Sequence, residues 1–217
     1  MYTKRNSMPK FWPIARKGTK YLAVASHNNS EALPLIIFLR DILKIVDNKK
    51  EAKKIINEKQ IRINGKEIRD TNYPICLFDV ITFSNSEKSY RATLSKTKKM
   101  IFEEISGKDS ENKTYKVMNK KIIDGKTTQL NLMNGKNIIS KEKVNTGDSI
   151  VLNFKENKII KIIPMEKGKE AFVTNGKHAG YKGKIEEIIL RGGKTLAKIS
   201  VDGERINVWV KNVIALG

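Results

Sequence analysis

The chain has 217 residues, with 43 Lys and Arg against 23 Asp and Glu, for a formal net charge of +20. A compact fold carries that much self-repulsion when a polyanion is there to relieve it, so nucleic acid is the expected partner. No run of about 18 apolar residues offers a membrane span, no apolar segment follows the basic N-terminus as in a secretory signal, and the single cysteine, Cys76, excludes an intrachain disulfide and fits the reducing cytoplasm.

Residues 1–29 hold six basic and no acidic side chains and show neither a helical nor a strand period. Lys4, Arg5, Lys10, Arg16, Lys17 and Lys20 are interleaved with Phe11, Trp12 and Tyr21. That pattern predicts an extended arm whose cations neutralise phosphates and whose aromatics, Trp12 among them, stack on bases or sugars.

Residues 30–94 read as a small module. Ser30 is a candidate N-cap and Pro34 suits a first helical turn. Leu35, Phe38, Leu39, Ile42, Leu43 and Val46 then follow the spacing of one buried helical stripe. Asp47-Asn48 ends that helix and caps a second over Lys49–Asn57, where Ala52, Ile55 and Ile56 face inward. Lys49, Lys50, Lys53 and Lys54 crowd its other side with one acid, Glu51. Unmatched like charges on two turns repel one another, so this face is read as phosphate-facing. Gln60–Asn64 alternates as a strand, Asn64-Gly65 is the dipeptide favoured in a type I′ hairpin turn, and Asp79–Phe83 closes the module. Arg62, Asn64 and Lys66 fall on the hairpin and join the expected contacts. Cys76 reads as a packed core residue.

Residues 95–167 form short strand-like runs at Tyr115–Val117, Gln129–Met133, Ser149–Phe154 and Ile159–Pro164, with Ser89–Leu94 just before them. Turn signals stand at Asp124-Gly125, Asn134-Gly135, Gly147-Asp148 and Glu156-Asn157. Lys98–Phe102 fits a strand or a helical turn. A small β-barrel or sandwich is expected here. Its sixteen lysines and no arginine suit diffuse phosphate contact, at Lys98 and Lys99 for example, better than bidentate base reading.

Residues 168–217 are the last unit. A strand at Ala171–Thr174 runs into GKHAGYKGKI, residues 176–185, whose glycines permit positive φ and close backbone approach. Amide N–H groups and the side chains of Lys177, His178, Lys182 and Lys184 are expected to meet phosphate. Gly192-Gly193 and Asp202-Gly203 add hairpins, and Trp209 fits core or surface.

A catalytic reading needs convergent groups, and the only histidines, His27 and His178, have no cysteine or carboxylate at ligand or triad spacing. The chain is therefore read as a non-enzyme without metal, cofactor or small-molecule substrate. The fold class expected is α+β and multidomain, in four segments at 1–29, 30–94, 95–167 and 168–217.

Leu39, Leu43, Glu51-Ala52, Ile55, Ile56, Ile61, Ile63, Asn64-Gly65, Tyr73 and Asp79 together resemble the alpha-L RNA-binding motif of a small-subunit ribosomal protein, pseudouridine synthases and tyrosyl-tRNA synthetases. Pro34-Leu35-Ile36 replaces that motif's Arg-Leu-Asp start, and Phe78 replaces the glycine before its final Asp. Residues 176–185 resemble the KOW motif of SH3-like barrels in ribosomal proteins and elongation factors. With LPLIIFLRD at 33–41, Tyr73-Pro74 and Phe78-Asp79-Val80-Ile81, the ordered combination resembles the S-four-e family of archaeal and eukaryotic small-subunit ribosomal proteins over residues 4–217. The resemblance implies a non-catalytic ribosomal constituent in the cytoplasm. It would bind the 5′ domain of small-subunit ribosomal RNA beside neighbouring ribosomal proteins. An end at Gly217, soon after the KOW segment, leads one to expect an archaeal-type or reduced member. A transcription elongation factor could share the KOW barrel and an RNA-modifying enzyme the alpha-L module, but the second would need an Asp-centred catalytic domain that 95–167 lacks.

Overall fold

Asn64 and Gly65 take φ values of 51° and 74°, the paired left-handed geometry of a type I′ turn, and join Ile61–Ile63 to Lys66–Glu67 as antiparallel strands. In this computed structural model, which describes residues 2–86, 88–124, 127–201 and 203–217, that hairpin forms one edge of a five-stranded antiparallel sheet. The strand order is Lys66–Glu67, Ile61–Ile63, Val80–Phe83, Ser89–Leu94, Met100–Ile105. The ambiguous Lys98–Phe102 stretch thus supplies the start of a strand. The sheet belongs to one of two compact units, residues 1–94 with 98–111; the other comprises 95–97 with 112–217. The turn signals Asp124-Gly125 and Asp202-Gly203 each include a residue outside the described ones.

The helix pair is half as the sequence predicts. Lys49–Asn57 is an α-helix capped by Asn48, whose Oδ1 accepts from the N–H groups of Lys50 (2.9 Å) and Glu51 (3.1 Å). Glu51 reaches back to the Asp47 N–H at 2.8 Å and to Asn48 Nδ2 at 2.8 Å, a reciprocal arrangement that satisfies donors the helix itself leaves open. The first helix does not start at Ser30. Leu33–Pro34 pairs instead as a short strand with Pro74–Ile75, and the N–H groups of Leu35 and Ile36 donate to the carbonyls of Tyr73 and Thr71 at 2.9 Å each. Backbone from a distant loop therefore caps this helix in place of a side chain. It runs as one α-turn, Leu35–Ile37, that widens into a π-turn over Phe38–Ile42. Every residue from Ala32 to Leu39 is buried, as expected of a segment apolar all round. Together with Ala52 and Ile56 of the basic helix and Ile61, Ile63, Ile81, Ala92 and Met100 of the sheet, it makes one core.

Asp79 ties the hairpin to the closing strand. Its buried carboxylate accepts from the Cys76 N–H and from Asn64 Nδ2, each at 2.6 Å, while Asn64 Oδ1 accepts from the Val80 N–H at 3.0 Å. Phe78 sits at φ 62°, which explains why a glycine suits this place in the wider pattern. The left-handed conformation costs a residue with a side chain about 1 kcal/mol or more. Burial of the ring and a 2.8 Å bond from its N–H to the Ala92 carbonyl offset that cost.

The second unit holds two five-stranded antiparallel sheets, so the chain as a whole is α+β and multidomain. The first has the order Asn137–Ser140, Thr127–Leu132, Asn112–Asp124, Ser149–Asn153, Ile159–Ile163. Its long strand pairs with Ser149–Asn153 through residues 112–116 and with Thr127–Leu132 through residues 117–124, with a bulge where the ladders change over. The second sheet, Glu204–Trp209, Lys194–Val201, Lys182–Arg191, Glu170–Val173, Val213–Ala215, is the SH3-like barrel. Its buried positions alternate along Lys194–Val201, as a strand with one inner face requires.

Lys116 and Ser149 join these two sheets. The Ala215 N–H donates to the buried Ser149 Oγ at 2.9 Å. Lys116, 3% exposed, donates its ammonium to the Val210 carbonyl and, at 2.7 Å, to that of Val213. Burial pushes this ammonium down from 10.5 to about 8. Between those two values the unfolded chain holds a proton at Lys116 that the folded chain lacks, so this group makes stability rise with pH across the window. Below pH 8 the charged form is held at a cost of roughly 3 kcal/mol. Lys116→Met removes this titration and no other. In urea unfolding, the stability of the wild type relative to Lys116→Met should rise by roughly 3 kcal/mol from pH 8 to 10.5; a difference flat in pH would contradict the assignment.

Candidate nucleic-acid interface

The arm is closed rather than extended. Tyr2–Lys4 pairs with Tyr21–Ala23, and Arg5 cinches the loop between them. Its Nε donates to the Thr19 carbonyl at 2.6 Å, Nη1 to the Ala15 carbonyl at 2.5 Å, and Nη2 to Thr19 Oγ1 at 3.0 Å. Arg5 is therefore a loop organiser, not a free phosphate ligand. Trp12 also departs from expectation. It is 2% exposed, lies in the core of the first unit, and donates its indole N–H to the Ala32 carbonyl at 3.1 Å, so it cannot stack on a base. The exposed aromatics are instead Tyr2 and Tyr21, in edge-to-face contact at 4.9 Å with the Lys20 ammonium 5.4 Å from the Tyr21 ring. Tyr2 was legible only through its strand partner. Lys4, Lys10, Arg16, Lys17 and Lys20 all lie exposed.

On the basic helix, Lys49, Lys50, Lys53 and Lys54 are exposed while Ala52 and Ile56 are buried. Glu51, the helix's one acid near them, is spent on the cap, and none of the four lysines has a carboxylate partner among the described residues. Nearby, Arg62 lies 3.6 Å and Lys59 3.1 Å from Glu67, which they share; both cations stay half or more exposed, and pairs of this kind contribute little. Lys66 is exposed at the turn. Asn64 is not available to RNA, because both ends of its amide serve Asp79 and Val80. Lys98 is exposed in a turn at φ 62°, whereas Lys99 donates to the Trp12 carbonyl at 3.0 Å and so holds the arm in place.

The glycine-rich loop between Glu170–Val173 and Lys182–Arg191 differs in detail from the phosphate cradle expected. Gly176 and Gly180 take φ of 97° and 89°. However, the Gly176 N–H donates to Asn175 Oδ1, that of Ala179 to the Gly176 carbonyl, that of Gly180 to Val173 and that of Tyr181 to His178. Of the amides from 176 to 181, those of Lys177 and His178 have no acceptor among the described residues and remain for an anion. The Lys177, Lys182 and Lys184 side chains are exposed, and half-buried His178 packs edge-on to Tyr181 at 6.0 Å. Lys96, which the sequence did not single out, holds its ammonium 5.8 Å from the same Tyr181 ring. Gly183 serves close approach: a Cβ there would lie 2.2 Å from the Ser200 carbonyl oxygen.

Three stretches of the chain match known families: residues 33–81 the S4 domain, residues 86–159 the ribosomal family S4e, and residues 167–202 the KOW motif. The small ribosomal subunit protein eS4 of Archaeoglobus fulgidus is 34% identical, over 96% of this chain and 88% of its own length. That of Methanosphaera stadtmanae is 37% identical over 86% of this chain and 79% of its own. The crystal structure of the 30S ribosomal protein S4e from Thermoplasma acidophilum is similar with a TM-score of 0.74 at 26% identity, over 86% of this chain and 95% of that one.

Because the atom opposing Gly183 is backbone, side-chain repacking cannot make room for a methyl group. Gly183→Ala should therefore lower the stability of the second unit by about 2–3 kcal/mol, in the range of overpacked cores, read as a drop in its unfolding midpoint. Ala at Gly192, where nothing lies within 4 Å of a Cβ but φ is 56°, should cost about 1 kcal/mol for the backbone alone.

Proposed function

The chain belongs to the family of small ribosomal subunit protein eS4, and from that premise we propose how it grips RNA. It is a structural constituent of the small ribosomal subunit that binds ribosomal RNA, with ribosomal RNA and other ribosomal proteins as its partners. The finer reading is that affinity comes from cations with no acid partner among the described residues, distributed over the arm, the basic helix and the KOW loop. These are Lys4, Lys10, Arg16, Lys17 and Lys20; then Lys49, Lys50, Lys53 and Lys54 with Lys66; and Lys177, Lys182 and Lys184. The single observation that supports this best is the helix face, where four exposed lysines stand together and the one acid among them is committed to the cap. The RNA partner is the 5′ domain of small-subunit ribosomal RNA, and the protein acts in cytoplasmic ribosomes without a catalytic step.

Lysine ammonium groups are point charges without the fork geometry that reads base edges, so this surface holds the RNA backbone and leaves base identity unread. Binding should then be strongly salt-dependent, with each phosphate contact contributing about 0.7–0.9 to the log–log slope. A Lys50/Lys53/Lys54→Ala triple variant, titrated with 5′-domain ribosomal RNA across a salt series, should show a slope smaller by about 2–3. An unchanged slope would remove the helix from the interface.

A further inference from the structure

We propose that the outer face of Trp209, between Lys194 and Lys211, is a further RNA subsite that takes an unpaired nucleotide, its base on the indole and its phosphates on the two ammonium groups. Trp209 ends the strand Glu204–Trp209 and is 40% exposed. The Lys194 and Lys211 ammonium groups each lie 4.5 Å from its ring centroid. A pocket of about 290 Å³, bounded by these three residues with Thr195 and Val210, opens beside the ring. Its size is that of the smaller small-molecule sites.

Charge argues for an anionic aromatic guest. Glu186 and Glu187, the carboxylates of the long barrel strand, are taken by Arg205 at 2.8 Å and Lys198 at 2.7 Å. Neither Lys194 nor Lys211 has a carboxylate partner among the described residues, so both hold their charge against the π face alone. A nucleotide satisfies both parts of the pocket once the flexible lysine ammonium groups swing from the ring to its phosphates, since stacking on an aromatic side chain contributes about 1–3 kcal/mol per base and tolerates any base. The base must be unpaired, because a duplex keeps its faces stacked on its neighbours. The chain that lines the pocket is also tied to the start of the KOW loop. The turn Val210–Asn212 leads from the ring to Asn212, whose carbonyl accepts the Thr174 N–H at 2.8 Å, so the turn that carries Lys211 is bonded to the residue that leads into the loop.

The proposal rests on RNA binding by this chain, and the test separates the two. The protein has two tryptophans, and Trp12 is buried, so RNA-dependent change in emission reports on Trp209. A ten-nucleotide single-stranded RNA and its blunt duplex serve as probes. Binding is followed by anisotropy of an end-labelled copy, and emission is followed with the unlabelled copy. At saturation the single strand should quench Trp209 emission by about half, with the duplex giving less than a fifth of that change, and Trp209→Phe should abolish it. Lys194→Ala/Lys211→Ala should weaken single-strand binding about tenfold while leaving the unfolding midpoint of the free protein unchanged. Saturable anisotropy with unmoved Trp209 emission would overturn the subsite and leave RNA binding intact. Equal quenching by the duplex would overturn the requirement for an unpaired base. No anisotropy change with either probe would count against RNA binding and the subsite together.

Discussion

With 43 basic and 23 acidic side chains, the fold cannot be held by pairing charge with charge, and the structure resolves that constraint through the backbone. Cations that order the fold donate to main-chain carbonyls: Arg5 to Ala15 and Thr19, Lys99 to Trp12, Lys116 to Val210 and Val213, Arg91 to Asp109, Lys120 to Val144. Carboxylates that order it accept from main-chain N–H groups: Glu51 from Asp47, Asp79 from Cys76, Asp148 from Asn145 and Met165. Charge-assisted bonds of this kind contribute roughly 1.5–3 kcal/mol each where they are sheltered, except at Lys116, where burial opposes the charge and outweighs its bonds. Exposed ion pairs such as Lys59–Glu67 contribute little.

The same division sorts the cations by role. A basic residue whose nitrogen is committed to a carbonyl shapes the protein, and one that has neither carbonyl nor acid is available to phosphate. Arg5 and Lys99 fall in the first class, and the lysines of the capped helix fall in the second. The capping network does two things at once. It secures the helix start, and it draws Glu51 away from the lysine face, so the face keeps its full charge. An acid placed free on that helix would stabilise the lysines in isolation and weaken the helix as a phosphate ligand.

What the sequence made legible was local chemistry. The Asn64-Gly65 turn, the helix over Lys49–Asn57 with its Asn48 cap, and the positive-φ glycines of the KOW loop each follow from residues within a few positions of one another. What it hid depends on partners far along the chain. Trp12 reads as a stacking residue among lysines until Ala32 and the core are placed around it. Ser30 reads as a cap until Tyr73 and Thr71 supply the carbonyls that take over that task. Asn64 signals the turn correctly, yet its amide is claimed by Asp79, fifteen residues on. The loop amides look open in sequence because the acceptors that close them, such as Val173 for Gly180, belong to the preceding strand. Trp209 is the converse of Trp12: similar lysine-flanked surroundings, but at the outward end of an alternating strand.

A fold built on backbone acceptors and apolar cores also separates its own stability from its grip on RNA. Phosphate contacts through exposed ammonium groups, as proposed above, would be replaced by added salt ion for ion. The bonds that shape the protein are short, and several of them, such as those of Asp79 and Lys116, are buried, so screening over about 8–10 Å reaches them weakly. What salt does reach within the free protein is the repulsion among its unmatched lysines, and relieving that repulsion favours the folded state. RNA does the same with greater specificity, because its phosphates neutralise the surplus where the fold displays it. The positive charge that the protein must tolerate alone therefore becomes favourable on binding ribosomal RNA, and a chain with that partner can carry a net charge of +20 spread along its sequence, through the arm, the helix and both β-sheets of the second unit.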